Sequence, residues 1–116
     1  MKILTVNCLA ALAFIFGCTM AYADGGKLSV PNNPKWKEEC GSCHIAYPPQ
    51  LLTAESWQRL MGGLDKHFGA NATMSAKDNK DILDFLQRYA GSGSRYISSS
   101  LRISDTPWFT REHREV

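Results

Sequence analysis

The chain has 116 residues, with 13 basic and 11 acidic side chains and four cysteines. That length suits one domain. The near-balance of charge excludes the basic stripe of a nucleic-acid binder, and no apolar run beyond the first 23 residues is long enough to span a membrane.

The chain opens with Met1-Lys2, a short positive start. Ile3 to Cys18 is almost wholly apolar, and Ala21-Tyr22-Ala23 is a small-residue cleavage signal before Asp24. The pattern predicts a secretory signal peptide over residues 1–23, cut after Ala23, and a periplasmic product. The alternative is a lipoprotein leader built on Ile15-Phe16-Gly17-Cys18. Cleavage after Ala23 takes the 116-residue chain to 93 residues, Asp24–Val116, and removes one basic residue, leaving 12 against 11 acidic. Only Cys40 and Cys43 then remain of the cysteines. A chain this short makes a marginal core by itself.

Asp24 to Asn32 is polar and reads as a loose arm. Asn33 is a predicted N-cap with Pro34 at the first helical position, so a short helix runs to about Cys40, anchored by Trp36. Cys40-Gly41-Ser42-Cys43-His44 follows. This is C-x-x-C-H, the pattern that attaches c-type haem. Two thiols add across two vinyl groups on one edge of the porphyrin. His44, next in line, is placed to bind the iron as proximal ligand. Two other readings stay open. A redox dithiol of the thioredoxin kind wants a βαβ context, and a structural zinc site wants four ligands. A covalent haem would also give the short chain a large apolar body to pack around.

Ile45 to Gln50 contains Pro48-Pro49, which favours an extended loop over helix. A carbonyl in that loop is placed to accept a hydrogen bond from the far nitrogen of His44, which would orient the imidazole. Thr53 is the next N-cap. Trp57, Leu60, Met61, Leu64 and Phe68 recur at helical spacing, with Gly69 as the stop. Gly62-Gly63 is unusual inside a helix and marks either a close approach to a flat ring or a kink between two half-helices. Ser75 opens a third helix carrying Ile82, Leu83, Phe85, Leu86 and Tyr89, closed by Gly91. Gly91 to Ser100 is Gly/Ser-rich and reads as a flexible linker. Thr106-Pro107 starts a last helix, with His113 four residues after Phe109. No segment alternates as a strand, so the fold class is all-α.

A six-coordinate iron needs a second axial ligand. Met61, Met74, His67 and His113 are the candidates after the leader. Met61 sits within a leucine stripe and reads as core. His67 shares the face of Leu60 and Leu64, and is the preferred distal ligand. His113, flanked by Arg111-Glu112 and Arg114-Glu115, reads as a solvated helix end.

The run Glu39 to Leu52, with Ser56-Trp57-Gln-Arg-Leu-Met, Leu64-Asp-Lys-His-Phe-Gly69 and Leu101 to Val116, resembles the bacterial diheme cytochrome c family. The resemblance covers nearly the whole chain after the leader. It implies a small helical domain packed around covalent haem, acting as a periplasmic electron carrier with two haems, each held by two histidines. It also implies redox partner proteins, such as a high-spin cytochrome or a membrane b-type cytochrome. Carried over, Cys40, Cys43, His44 and His67 serve the first haem, and His113 serves the second. The family's second C-x-x-C-H follows the Arg-Glu-His-Arg-Glu segment, and this sequence carries no such motif. The expected organisation is a leader over 1–23, a haem domain over 24–91, and a linker with the start of a truncated second-haem region over 92–116. The last stretch is expected to be poorly ordered.

Three functions follow from these readings. Electron transfer through a low-spin haem is the first, and it makes the protein a carrier rather than an enzyme. The second is a haem enzyme or gas-binding cytochrome with a displaceable distal ligand. The third is a haem-free thiol–disulfide protein built on Cys40 and Cys43.

Overall fold

A computed structural model describes residues 28–114. The predicted leader and its cleavage site lie outside the described residues. Four helices follow one another: α1 (Pro34–Gly41), α2 (Ala54–Met61), α3 (Ala76–Arg88) and α4 (Pro107–Glu112). Among the described residues there is no β-strand, only isolated bridges between Thr53 and Gly91 and between His67 and Ala70. The fold is all-α, as the sequence predicts.

Each helix starts where a short polar side chain can take up an orphan backbone N–H. Asn33 Oδ1 accepts from the Trp36 amide at 2.9 Å, and Thr53 Oγ1 from Ser56 at 3.2 Å. Ser75 Oγ accepts from Asp78 at 3.0 Å, and Thr106 Oγ1 from Phe109 at 3.2 Å. Each cap stabilises its helix by about 1 kcal/mol. Pro34 and Pro107 occupy first-turn positions, where a missing N–H costs nothing.

The core forms where α1 and α2 pack on α3. Trp36, Leu52, Trp57, Met61, Leu64, Ile82, Phe85 and Leu86 are buried together. The Trp36 and Phe85 rings meet at 5.4 Å and join α1 to α3. Polar side chains on α3 also serve α2. Asn79 donates to the Met61 carbonyl at 3.0 Å, and Gln87 to the Ala54 carbonyl at 3.3 Å. The Met61 carbonyl is one of those the end of α2 leaves without a partner in its own helix.

Two predicted elements differ. The stripe from Trp57 to Phe68 is not one helix: α2 stops at Met61 and Leu64–Lys66 forms a separate 3₁₀ turn. The glycine pair is the break, as the second of its two sequence readings, a kink, has it. The Gly62 amide bonds Gln58 four residues back, while the Gly63 amide bonds Leu60 only three back. Pro48 is extended as predicted, but Pro49–Leu51 makes a single 3₁₀ turn, because a proline at a first helical position forfeits no bond.

The segment after Gly91, its Gly/Ser-rich part included, is more organised than a flexible linker. It carries tight turns at Ser94–Tyr96 and Ile103–Asp105, and it buries Tyr96, Ser98 and Thr106. Gly91 ties it back to the loop after the cysteine motif, its amide donating to the Leu52 carbonyl at 2.9 Å. A Cβ at Gly91 would lie 2.2 Å from the Gln50 carbonyl oxygen and 2.7 Å from the Tyr96 ring. Only glycine fits that approach.

Candidate metal centre

The cysteine motif straddles the end of α1. Cys40 lies in the last turn, half-buried against the core. Ser42 caps the helix, and Cys43 and His44 emerge exposed beyond it. Both thiols are free. Burial, and secondarily the Glu39 carboxylate, push the Cys40 thiol above its ordinary value. Cys40 is therefore poorly suited to be the attacking thiol of a redox dithiol, because the thiolate is the nucleophile.

The loop after His44 is pinned from below. Pro49, Leu51 and Leu52 are buried, and the Trp57 indole N–H donates to the Pro49 carbonyl at 2.7 Å. The Gln50 amide donates to the Ser29 carbonyl at 2.8 Å. In this loop His44 Nδ1 bonds the Ile45 carbonyl at 2.7 Å. A carbonyl can only accept, so Nδ1 carries a proton, and in the neutral ring Nε2 is the nitrogen with the lone pair. The orienting carbonyl predicted for His44 is therefore that of the next residue.

His67 projects from a turn rather than a helix face. The turn His67-Phe68-Gly69-Ala70 closes with the Ala70 amide on the His67 carbonyl at 3.0 Å. Both central residues are left-handed, Phe68 at φ 50° and Gly69 at φ 91°. The turn sits beyond the Gly62-Gly63 break, and the break is what redirects His67. Burial first, and the nearby His44 second, hold the His67 imidazole below its ordinary pKa. That favours the neutral, lone-pair-bearing form.

The two imidazoles meet. Their centroids are 6.1 Å apart and their planes 23° from parallel. A metal–imidazole bond of about 2.0 Å, with ring nitrogens about 1.1 Å from their centroids, puts two imidazoles on opposite sides of one metal about 6 Å apart. Each imidazole is backed by an aromatic ring, His44 by Tyr47 at 5.4 Å and His67 by Phe68 at 4.8 Å. Ile45, Phe68 and Tyr47 are 71%, 43% and 42% exposed, an apolar collar beside the histidines. Among the described residues no three His, Cys, Asp or Glu side chains converge as a metal cluster of their own.

The other candidates lie elsewhere. Met61 is 4% exposed in the core, and Met74 packs on that core from its edge. His113, the residue after α4, is exposed, its ring stacked on Phe109 at 3.9 Å. Its Nδ1 donates to the Phe109 carbonyl at 2.8 Å, so in the neutral ring Nε2 is the nitrogen left with a lone pair.

The family profile described as dihaem cytochrome c matches residues 36–116. The chain belongs to the dihaem cytochrome c family. Two solved structures from Rhodobacter sphaeroides are similar to it, a DHC and a diheme cytochrome c. The first is 39% identical with a TM-score of 0.66, covering 75% of each chain. The second is 38% identical with a TM-score of 0.67, covering 74% of this chain and 76% of that one. A diheme cytochrome c from Shewanella baltica OS155 is 33% identical with a TM-score of 0.64, covering 75% of this chain and 65% of that one. No curated protein matches the chain.

As a dihaem cytochrome c, the protein is a c-type cytochrome of electron transfer whose cofactor is covalent haem c. The residues present fit that group. Two free thiols stand three residues apart, an oriented imidazole follows them, a second imidazole lies 6.1 Å from it between centroids, the spacing two ligands of one metal would have, and apolar side chains lie beside both. None of the described helices is long and apolar enough to cross a membrane. Nothing in the sequence singles out Tyr47, and helical spacing places Phe68 in the core, whereas it lies exposed in the turn. Gly69 was the available signal for Phe68, since Phe-Gly after a helix break suits a left-handed turn.

Proposed function

We propose that the protein carries single electrons through a low-spin haem attached at Cys40 and Cys43, with His44 and His67 as its two axial ligands. The observation that carries this reading is the 6.1 Å, near-parallel apposition of the two imidazoles. Bound there, the haem supplies reversible one-electron chemistry, and two histidine ligands keep its potential low. The chain's part is positional. The Ile45 carbonyl fixes the His44 tautomer, the loop on Trp57 holds the ring, and the turn at Phe68 presents His67. Held by both His44 and His67, the haem would offer no open position to a substrate, which would suit a carrier rather than an enzyme.

His113 is the proposed ligand of a second haem. Its support is the family's two haems and a hydrogen bond of the kind His44 makes, with Nδ1 on a backbone carbonyl. We take residues 1–23 as a cleaved leader to the periplasm, 24–91 as the first-haem domain, and 92–116 as leading into the second-haem region. Redox proteins, such as a high-spin cytochrome or a membrane b-type cytochrome, are the proposed partners.

Absorption spectroscopy of the holo-protein tests the ligation. The native protein should be low-spin and respond to carbon monoxide only slowly, at the rate at which a ligand lets go, and His67→Ala should turn the haem high-spin. A low-spin spectrum in His67→Ala would remove His67 from the site.

A further inference from the structure

His67 depends on a turn with an unfavourable centre. Phe68 is a bulky residue in the left-handed region, where its Cβ crowds the backbone. Among the described residues only one other non-glycine residue has positive φ, Leu101 at 61°. The two line the same groove, of about 260 Å³, beside Leu60 and His67. Strained residues persist only where their surroundings hold them.

The holding contact comes from the residue after Leu101. The Arg102 guanidinium lies over the Phe68 ring, 4.4 Å from its centroid. The same ring meets the His67 imidazole at 4.8 Å. The backbone of Arg102 is itself fixed. Its amide donates to Ser100 Oγ at 3.2 Å, and its carbonyl accepts from the Asp105 amide at 3.1 Å. The Ser100 hydroxyl donates to the Asp105 carboxylate and touches the buried Ser98 hydroxyl. Among the described residues Arg102 has no carboxylate within ion-pair distance, so the aromatic face is its charge's partner.

We propose that Arg102 is a positioning residue for His67. Its guanidinium clamps the Phe68 ring, holds the turn 67–70 in its left-handed form, and keeps the His67 imidazole aimed at His44. The clamp rests on the proposed ligation by His67 and deepens it. It gives the segment after Gly91 a role at the first haem. Without Arg102 the Phe68 backbone relaxes and the turn that begins at His67 opens more often.

Carbon monoxide binding to the reduced, full-length holo-protein reads that opening, because carbon monoxide reaches the iron only when an axial ligand lets go. Arg102→Ala should raise the slow binding rate by about three- to tenfold, the size of a cation–π contact expressed as a rate. Arg102→Lys, which keeps a cation over the ring, should restore most of the native rate. In a Phe68→Leu background Arg102→Ala should add nothing, since the ring it acts through is gone. An unchanged rate in Arg102→Ala, or the same gain in the Phe68→Leu background, overturns the proposal. His67→Ala measured alongside separates the two readings. If it stays low-spin, the ligation has failed. If it turns high-spin while Arg102→Ala leaves the rate unchanged, only the clamp has failed.

Discussion

The indole N–H of Trp57 donates to the carbonyl of Pro49 across 2.7 Å, inside the core. That bond joins α2 to the floor of the loop that carries His44. Two consecutive prolines cannot supply backbone N–H groups of their own, so the loop borrows a side-chain donor to hold its shape.

Trp57→Phe keeps an aromatic ring but deletes the donor, leaving a buried carbonyl unpaired. The expected cost is about 1–3 kcal/mol of unfolding free energy, read from denaturant midpoints. The haem spectrum should keep its low-spin form, because the His44–Ile45 bond is untouched. A variant as stable as the parent would mean that solvent satisfies Pro49 instead.

Gly91→Ala should be costly for a different reason. The new methyl group would meet the Gln50 carbonyl oxygen, a backbone atom that cannot swing away. Overpacking of this kind costs about 1–3 kcal/mol. Limited proteolysis should then cut the segment 92–114 faster than in the parent, since Gly91 is where that segment is tied to the loop.

The exposed pair Lys77–Asp81 on α3 gives a pH signature. The hydrogen bond from Lys77 holds the Asp81 carboxyl below its ordinary value, and the same bond raises Lys77. A depressed carboxylate contributes stability that is present above its unfolded pKa and lost as pH falls through the folded one. The raised lysine contributes stability present below its own unfolded pKa and lost as pH climbs through the folded one. Asp81→Asn should therefore be slightly less stable than the parent near neutrality and equal to it in strong acid. The gap at neutrality should shrink at high ionic strength. A gap that persists in strong acid would trace the loss to something other than charge.

What could be read from the sequence was local. The four caps, the apolar stripe of α3 and the Cys40–His44 motif each depend on residues within one or two turns of chain. The carbonyl partner of His44 proved to be its immediate neighbour. His67 does lie beside His44, but not by the means its spacing suggests. Helical periodicity carried the stripe through Gly62-Gly63, whereas the backbone breaks there and turns. The left-handed Phe68 is held by Arg102, 34 positions later, and the Gly/Ser-rich run is ordered by Tyr96 lying against Gly91. Neither contact leaves a periodic trace in the sequence, because both depend on tertiary approach.

The choice between histidine and methionine as distal ligand can be settled by reduction potential. Met61 is buried among Trp57, Leu64, Ile82 and Leu86, and drawing its sulfur out to a metal would open the core. Met61→Leu should therefore cost under about 1.5 kcal/mol, as volume-conserving swaps do, with spectrum and potential unchanged. His67→Met asks the opposite question. If His67 is the ligand, a thioether in its place should raise the potential by a sizeable part of the about 0.8 V range that haem axial ligands span. Should Met61→Leu be the variant that moves the potential, the facing imidazoles would not be the ligand pair, and α2 would have to unwind near its end to deliver the sulfur. The Asn79 bond to the Met61 carbonyl, which holds that end of α2 in place, argues that it does not.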